Sequence, residues 1–249
     1  MRNFEKLFIS DIDNTLLGDN NALQELKDVL SKVDFSLGVG VASGRTVHAA
    51  LEVLSENGFP EPDIVISSVG SEIYFKQEGK LLYNISTDWK RHLSEGWDRD
   101  EIVESLNGLK DIEMQNSSEQ GEHKVSYHIN EDTNIDRIKE RLGNLNQKIK
   151  LIISTGKDMD VLPERSGKGK AIKFVSEQLK VPLASVIVSG DSGNDEDMLT
   201  IGSPAIVVGN YSSELEKLKG KKTIYFAERE YAGGILEGMK NFNFISNGF

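Results

Sequence analysis

Over its first seventy residues the chain switches back and forth between two hydrophobic periods, and this limits the folds open to it. Leu7-Phe8-Ile9 is a short apolar run that ends at Ser10-Asp11, as a buried strand would. Ala22, Leu23, Leu26, Val29, Leu30 and Val33 then recur at helical spacing. Phe35, Leu37, Val39 and Val41 alternate with small residues and predict a second strand ending near Ala42-Ser43. Val47, Ala50, Leu51 and Leu54 form another helical face, closed by Asn57-Gly58, and Ile64-Val65-Ile66 is a third strand. Strands alternating with helices in this way require a parallel sheet with helices on both faces.

The end of the chain repeats the rhythm. Ala171, Ile172, Val175 and Leu179 mark a helix, and Val186-Ile187-Val188 a strand ending at Gly190-Asp191. Met198, Leu199 and Ile201 fall in the next helix, and strands at 205–208 and 223–226 follow. The middle differs. Residues 73–83 read as a hairpin around Glu78-Gly79, and Ser86 to Val161 as helix, two strands, helix, two strands. The two helices are carried by Ile102, Val103, Leu106 and Leu109 and by Ile135, Ile138, Leu142 and Leu145. Strict alternation puts Lys124, Ser126 and His128 on one sheet face and Val125, Tyr127 and Ile129 on the other. Asp158 and Asp160 likewise oppose Met159 and Val161. The expected fold class is therefore α/β: a doubly wound, Rossmann-like parallel-sheet core from residues 1–85 and 162–249, with an α+β cap at 86–161 whose polar sheet face looks onto the core.

Two acidic clusters sit directly after apolar strands: Asp11-Ile12-Asp13-Asn14-Thr15, and Gly190-Asp191-Ser192-Gly193-Asn194-Asp195. In an open parallel sheet, ligands bind beyond the carboxyl ends of the strands, so both clusters meet there. Carboxylates gathered in one cleft repel unless a hard cation joins them, and Mg2+ takes oxygen ligands and shares its shell with substrate phosphates. Ser43-Gly44-Arg45 follows the second strand and Lys168 opens a helix. A hydroxyl, backbone N–H groups and a lysine make a cradle for a phosphoryl group. Arg45 has two open readings, one in that cradle and one paired with a surface carboxylate.

Asp11-x-Asp13-x-Thr15, Ser43, Lys168 and Gly190-Asp191-x-x-x-Asp195 together resemble the four ordered motifs of the haloacid dehalogenase superfamily of phosphatases, and the insert resembles its Cof-type cap. Further stretches are similar to the sucrose-phosphate phosphatases of that superfamily: Val69 to Tyr74, Lys124 to His128, Gly156 to Pro163 and Gly190 to Asp195. The resemblance implies Asp11 as nucleophile, Asp13 as general acid and base, and Lys168 as the third catalytic group. It implies a magnesium shell of Asp11, Asp13 (through its carbonyl), Asp191 and Asp195, the last with Asn194 also supporting the lysine. Thr15, Ser43, Gly44 and Lys168 would hold the phosphate, with Arg45 and Asn194 as further candidate substrate contacts and Glu119, Gln120, Lys124, Asp158 and Asp160 as candidate sugar contacts on the cap. Serine at position 43 replaces the threonine many relatives carry, and either supplies the hydroxyl.

The implied reaction is hydrolysis of a sugar phosphate, with sucrose 6-phosphate favoured over mannosylfructose phosphate and glucosylglycerol phosphate. A phosphosugar mutase, and a non-catalytic module that binds a sugar-phosphate synthase, are the alternatives. A calcium loop fails because Leu16 stands where its glycine belongs, and a nucleotide P-loop fails because Ala171 follows Lys170. The four histidines lack metal-ligand spacing and read as structural or solvated, and Trp89 and Trp97 read as cap packing, with stacking on sugar as the alternative. A net charge of −11 argues against nucleic acid and anionic membranes as partners. With no cysteine, no signal peptide and no membrane span, the expectation is a cytoplasmic monomer.

Overall fold

The computed structural model describes residues 3–33, 36–77, 79, 82–154 and 156–245. Phe35, read at the start of the second strand, and Glu78, read at the hairpin turn, lie outside these. The elements of the first part are β1 (Lys6–Ser10), α1 (Asn20–Leu30), β2 (Leu37–Ala42), α2 (Val47–Glu56), β3 (Ile64–Ser67), β4 (Glu72–Lys76), β5 (Tyr83–Ile85) and α3 (Thr87–Ser94). The middle holds α4 (Arg99–Leu106), β6 (Glu113–Met114), β7 (Val125–His128), α5 (Ile135–Gly143), β8 (Ile149–Ser154) and β9 (Asp158–Pro163). The last part holds α6 (Lys168–Leu179), β10 (Val186–Gly190), α7 (Glu196–Leu199), β11 (Ala205–Val207), β12 (Ile224–Phe226) and α8 (Tyr231–Asn241).

The large sheet has the order β12-β11-β10-β1-β2-β3-β4-β5. It is parallel from β12 to β3, and β4 and β5 extend it antiparallel. The expected hairpin is thus an extension of the core sheet. One face is covered by α6, α7 and α3, through Ile172, Val175, Met198, Leu199, Trp89 and Leu93. The other is covered by α1, α2 and α8, through Leu23, Leu26, Leu54, Ile235 and Met239.

The smaller sheet, β6-β7-β9-β8, is antiparallel. One of its faces packs on α4 and α5 through Val125, Tyr127, Met159 and Val161 against Ile102, Leu106, Ile138 and Leu142. The opposite face carries the in-register pairs Ser126–Asp160 and His128–Asp158. The polar alternation read in the sequence is therefore present.

Two readings change. The middle begins with a helix, α3, that the sequence pattern did not reveal. Trp89, read as cap packing, sits in the core instead: it is buried, packs its ring at a tilt against Phe174 of α6 and donates its indole N–H to the Gly70 carbonyl. Trp97 does pack with the cap cluster. Helix α4 stops at Leu106 because Gly108 turns left-handed (φ 76°), yet Leu109 beyond it still buries its side chain. Among the described residues, no helix is long and apolar enough to cross a membrane.

Candidate active site

Parallel pairing of β1 with β10 sets Ser10 opposite Ser189, so the residues that leave these strands, Asp11 and Asp191, are neighbours. Carboxylate oxygens of Asp11, Asp191 and Asp195 all lie within 4.8 Å of one another. Lys168, the first residue of α6, is fully buried beneath them. Its ammonium donates to Asp11 Oδ1 (2.7 Å), Asp195 Oδ1 (2.6 Å) and, at 3.4 Å, Asn194 Oδ1. The helix start can come this close because residue 70 is glycine: a Cβ there would lie 2.3 Å from the Gly167 carbonyl carbon. Asp195 folds back in a capping box, and its Oδ2 accepts from the N–H groups of Asp191 (3.0 Å) and Ser192 (3.3 Å).

One ammonium faces three carboxylates. Burial pushes the Asp11 carboxyl up to about 8, against the opposing pull of Lys168. Burial and the neighbouring Asp195 push Asp191 up to about 6. Burial alone disfavours the Lys168 ammonium, yet Asp11 and Asp195 overcome this and hold its pKa above the ordinary lysine value. Such a site has unmet demand for positive charge. Its donors are all hard oxygens, and Asp11 Oδ2 and Asp191 Oδ2 accept no hydrogen bond from the described residues. The set fits a small divalent cation.

The loop after β2 supplies the rest of the floor. Ser68 and Val69 both adopt left-handed backbone (φ 51° and 58°), rare for a β-branched residue. This turn donates from Ser68 N to Arg45 O (2.8 Å) and from Val69 N to Ser43 O (3.0 Å), fixing Ser43-Gly44-Arg45 beside the acids. Arg45 grips Asp13 with two charge-assisted hydrogen bonds, and its charge also faces Glu119 of the cap. Of its two open readings, pairing with a carboxylate holds, but that carboxylate belongs to the site.

A cavity of about 470 Å³ separates this floor from the polar cap face. Asp11, Asp13, Ser43, Gly44, Arg45, Asp191 and Asn194 line it from the core, and Glu119, Lys124, Asp158 and Asp160 from the cap. Lys124 and Asp160 are buried, with Nζ 3.7 Å from Oδ1, so they are not charges on a wet face.

Two expected contacts are placed otherwise. Thr15 is fully buried, its hydroxyl donates to Asp191 Oδ1 (2.9 Å), and it does not line the cavity. Gln120 lies off the cavity wall; its amide is occupied by the carbonyls of Gln115 and Ser126 and the N–H of Ser126. The sequence reading missed Gln115, His128 and Ser154, which also line the cavity. His128 was visible on the polar face of the alternation but was read as structural or solvated. Ser154 pairs with Asp158 across β8 and β9.

A family model for sucrose-6F-phosphate phosphohydrolase matches residues 4–243. The mannosylfructose-phosphate phosphatase of Agrobacterium fabrum is 28% identical over 95% of this chain and 96% of its own. Sucrose-phosphatase 1 of Nicotiana tabacum is 29% identical over 97% of this chain, which spans 60% of the tobacco protein's length. The crystal structure of the sucrose-phosphatase of Synechocystis sp. PCC6803, in complex with sucrose and phosphate, superposes with a TM-score of 0.90 at 34% identity, covering 98% of this chain and 100% of that one. A model of that family matching nearly the whole chain, together with this superposition, shows that the chain belongs to the sucrose-6F-phosphate phosphohydrolase family.

Proposed function

We propose that this chain is a magnesium-dependent phosphatase that hydrolyses sucrose 6-phosphate to sucrose and phosphate through an aspartyl-phosphate on Asp11. The observation that carries this reading is the state of Asp11. Lys168 fixes its Oδ1 at 2.7 Å while Oδ2 accepts no hydrogen bond from the described residues, and the residue lines the cavity. A carboxylate held this way can present one oxygen to phosphorus.

In the first step Asp11 Oδ2 bonds to phosphorus, the bond to the sugar oxygen breaks, and Asp13 gives that oxygen a proton. In the second, Asp13 takes a proton from water, the water oxygen bonds to phosphorus, and the Asp11 Oδ2–phosphorus bond of the acyl phosphate breaks, releasing phosphate and restoring the Asp11 carboxylate. Lys168 steadies Asp11, and Ser43 with the backbone of Gly44 faces the phosphoryl oxygens. Asp11, Asp191 and the Asp13 carbonyl would hold Mg2+, which when bound offsets phosphoryl charge and aligns the attack. Both oxygens of Asp195 are taken by Lys168 and backbone N–H groups, so its part is to hold the lysine and the loop.

The cap, residues 86–161, supplies substrate choice. Helix α3 at its start packs on the core, so the portion free to move begins after it. Glu119, Lys124, Asp158 and Asp160 form a polar wall suited to sugar hydroxyls. The names and substrates of the relatives support a sugar phosphate, and the Synechocystis structure, bound to sucrose and phosphate, supports sucrose 6-phosphate in particular. The test is phosphate release from sucrose 6-phosphate, mannosylfructose phosphate and glucosylglycerol phosphate, with Mg2+ and with EDTA. Sucrose 6-phosphate should have the highest kcat/KM, and EDTA should abolish release. Faster turnover of another member of the panel rejects the substrate, and full activity in EDTA rejects the metal.

A further inference from the structure

A loop with no part in the phosphoryl chemistry ties the two acidic turns to each other. It runs from Val208 to Ser212, directly after β11, and so leaves the parallel sheet at the same carboxyl edge as Asp11 and Asp191. Toward β10, the Ser212 N–H donates to the Asp191 carbonyl at 2.7 Å. Toward β1, Asn210 Nδ2 donates to the Asn14 carbonyl at 2.6 Å, a contact across 196 positions. The Oδ1 of the same side chain accepts the Tyr231 N–H at the start of α8 (2.9 Å). A peptide N–H only donates and a carbonyl only accepts, so both ends of the Asn210 amide are assigned by their partners. The loop is seated closely: Gly209 donates its N–H to the Arg229 carbonyl (2.8 Å), and a Cβ on it would lie 2.5 Å from the Glu228 carbonyl oxygen.

Asn14 is where such a tie matters. Its backbone is left-handed (φ 56°), it lines the cavity, and it directly follows the proposed general acid. The Asp13 carbonyl and the Asn14 N–H share one peptide plane, so a change of φ at Asn14 swings the Asp13 carbonyl. Leu16 and Leu17 pin one side of this turn by donating their N–H groups to the Ile12 carbonyl, and the Thr15 hydroxyl pins the other on Asp191. Among the described residues, the Asn14 carbonyl between them is held by Asn210. We propose that Asn210 is a positioning residue for the metal site: by fixing the Asn14 peptide it holds the Asp13 carbonyl in place as a ligand for Mg2+. This rests on the magnesium reading above and goes beyond it by giving the loop after β11 a part in metal binding.

The experiment uses the full chain, stripped with EDTA and then titrated with Mg2+ while Tm is followed, so that affinity is read without turnover. The proteins are wild type, Asn210→Ala, Asn210→Asp and Ser176→Ala. Asn210→Ala loses both bonds. Asn210→Asp keeps an acceptor for the Tyr231 N–H, so the start of α8 stays satisfied, but it has no donor for the Asn14 carbonyl. Its added negative charge alone would tighten cation binding, so the sign of the change separates charge from positioning. Ser176→Ala loses a buried hydroxyl bond to the Val181 carbonyl, toward the other end of α6 from Lys168, and is the stability control. Both Asn210 variants should bind Mg2+ about tenfold more weakly than wild type. Ser176→Ala should lower Tm and leave Mg2+ affinity unchanged. Three results overturn the proposal: Asn210→Asp binding Mg2+ as tightly as wild type or more so, an affinity in Asn210→Ala within about threefold of wild type, or a loss of equal size in Ser176→Ala. A wild-type Tm that does not respond to Mg2+ overturns the magnesium reading itself, and this inference with it.

Discussion

Arg45 and Asp13 meet in a two-pronged ion pair, Nε to Oδ2 and Nη2 to Oδ1, both 2.8 Å. Both oxygens of the proposed general acid are therefore occupied, and one must be released for it to reach the sugar oxygen. A planar guanidinium sets the carboxylate plane in a way a lysine cannot. Arg45→Ala and Arg45→Lys should each lower kcat for sucrose 6-phosphate by roughly 10²-fold, near the low end of what general acid catalysis contributes. With p-nitrophenyl phosphate, whose leaving group needs no proton, the loss should be under about tenfold. Equal losses on both substrates would show that Arg45 acts on the phosphoryl group and not through Asp13.

Lys168 is the only cation in contact with Asp11 and Asp195 among the described residues, and it is fully buried. Removing one member of a buried ion cluster strands the others and costs about 3–5 kcal/mol. Lys168→Met should therefore lower Tm clearly at pH 8 in EDTA, and less at pH 5.5, where the carboxyls take up protons. Phosphate release should fall below detection at either pH. A variant as stable as wild type in EDTA at pH 8 would contradict the charge balance drawn here.

The acids make a prediction about pH in the absence of metal. Asp191 is raised to about 6 by burial and by Asp195, and Asp11 to about 8 by burial. A raised carboxyl pKa means the folded protein holds protons that the unfolded chain has lost. The resulting stabilisation is complete below the unfolded value of 3.8 and disappears as pH rises through about 6 for Asp191 and about 8 for Asp11. The Asp191 share alone is on the order of 3 kcal/mol. In EDTA, Tm should fall between pH 5.5 and 8.5. Mg2+ favours the ionised acids, so the rise in Tm on adding it should be greater at pH 8.5 than at pH 5.5. A Tm in EDTA that is flat or rising over this range would refute the assignment.

How much of this was legible in the sequence depended on whether the deciding interaction was local. The strand ends at Asp11 and Asp191 were readable because unbroken apolar runs stop at charged residues, and the sheet then brings those ends together. The cap's polar face was readable because alternation survives in β7 and β9. Helix α8 was not read. Its three glycines each cost about 1 kcal/mol of helix propensity relative to alanine. They are there for packing: a Cβ on Gly238 would lie 2.5 Å from Ile206, and one on Gly234 would lie 2.4 Å from the Arg229 carbonyl oxygen. Trp89 carried no sign of its destination, because the partners that hold it, Gly70 and Phe174, are remote in sequence. Thr15 matched its motif, yet its contact with Asp191 spans 176 positions and could only be seen in the fold.

Gly190 closes β10 and lets Asp195 fold back over the strand end. A Cβ at this position would lie 2.6 Å from Asp195 Cβ and 2.7 Å from its Oδ2. Asp195 cannot move aside without breaking its bond to Lys168 at 2.6 Å and its bonds to the Asp191 and Ser192 N–H groups. Gly190→Ala should thus cost about 1–3 kcal/mol of stability through overpacking. It should also weaken Mg2+ binding by roughly 10- to 100-fold, the usual effect of disturbing groups that support metal ligands. Titrating Mg2+ against Tm gives both quantities in one experiment. Gly143→Ala is the matched control, since a Cβ there meets nothing within 4 Å, and it should leave Mg2+ affinity unchanged. If Gly190→Ala binds Mg2+ as tightly as that control, Asp195 does not hold the metal loop through this close approach.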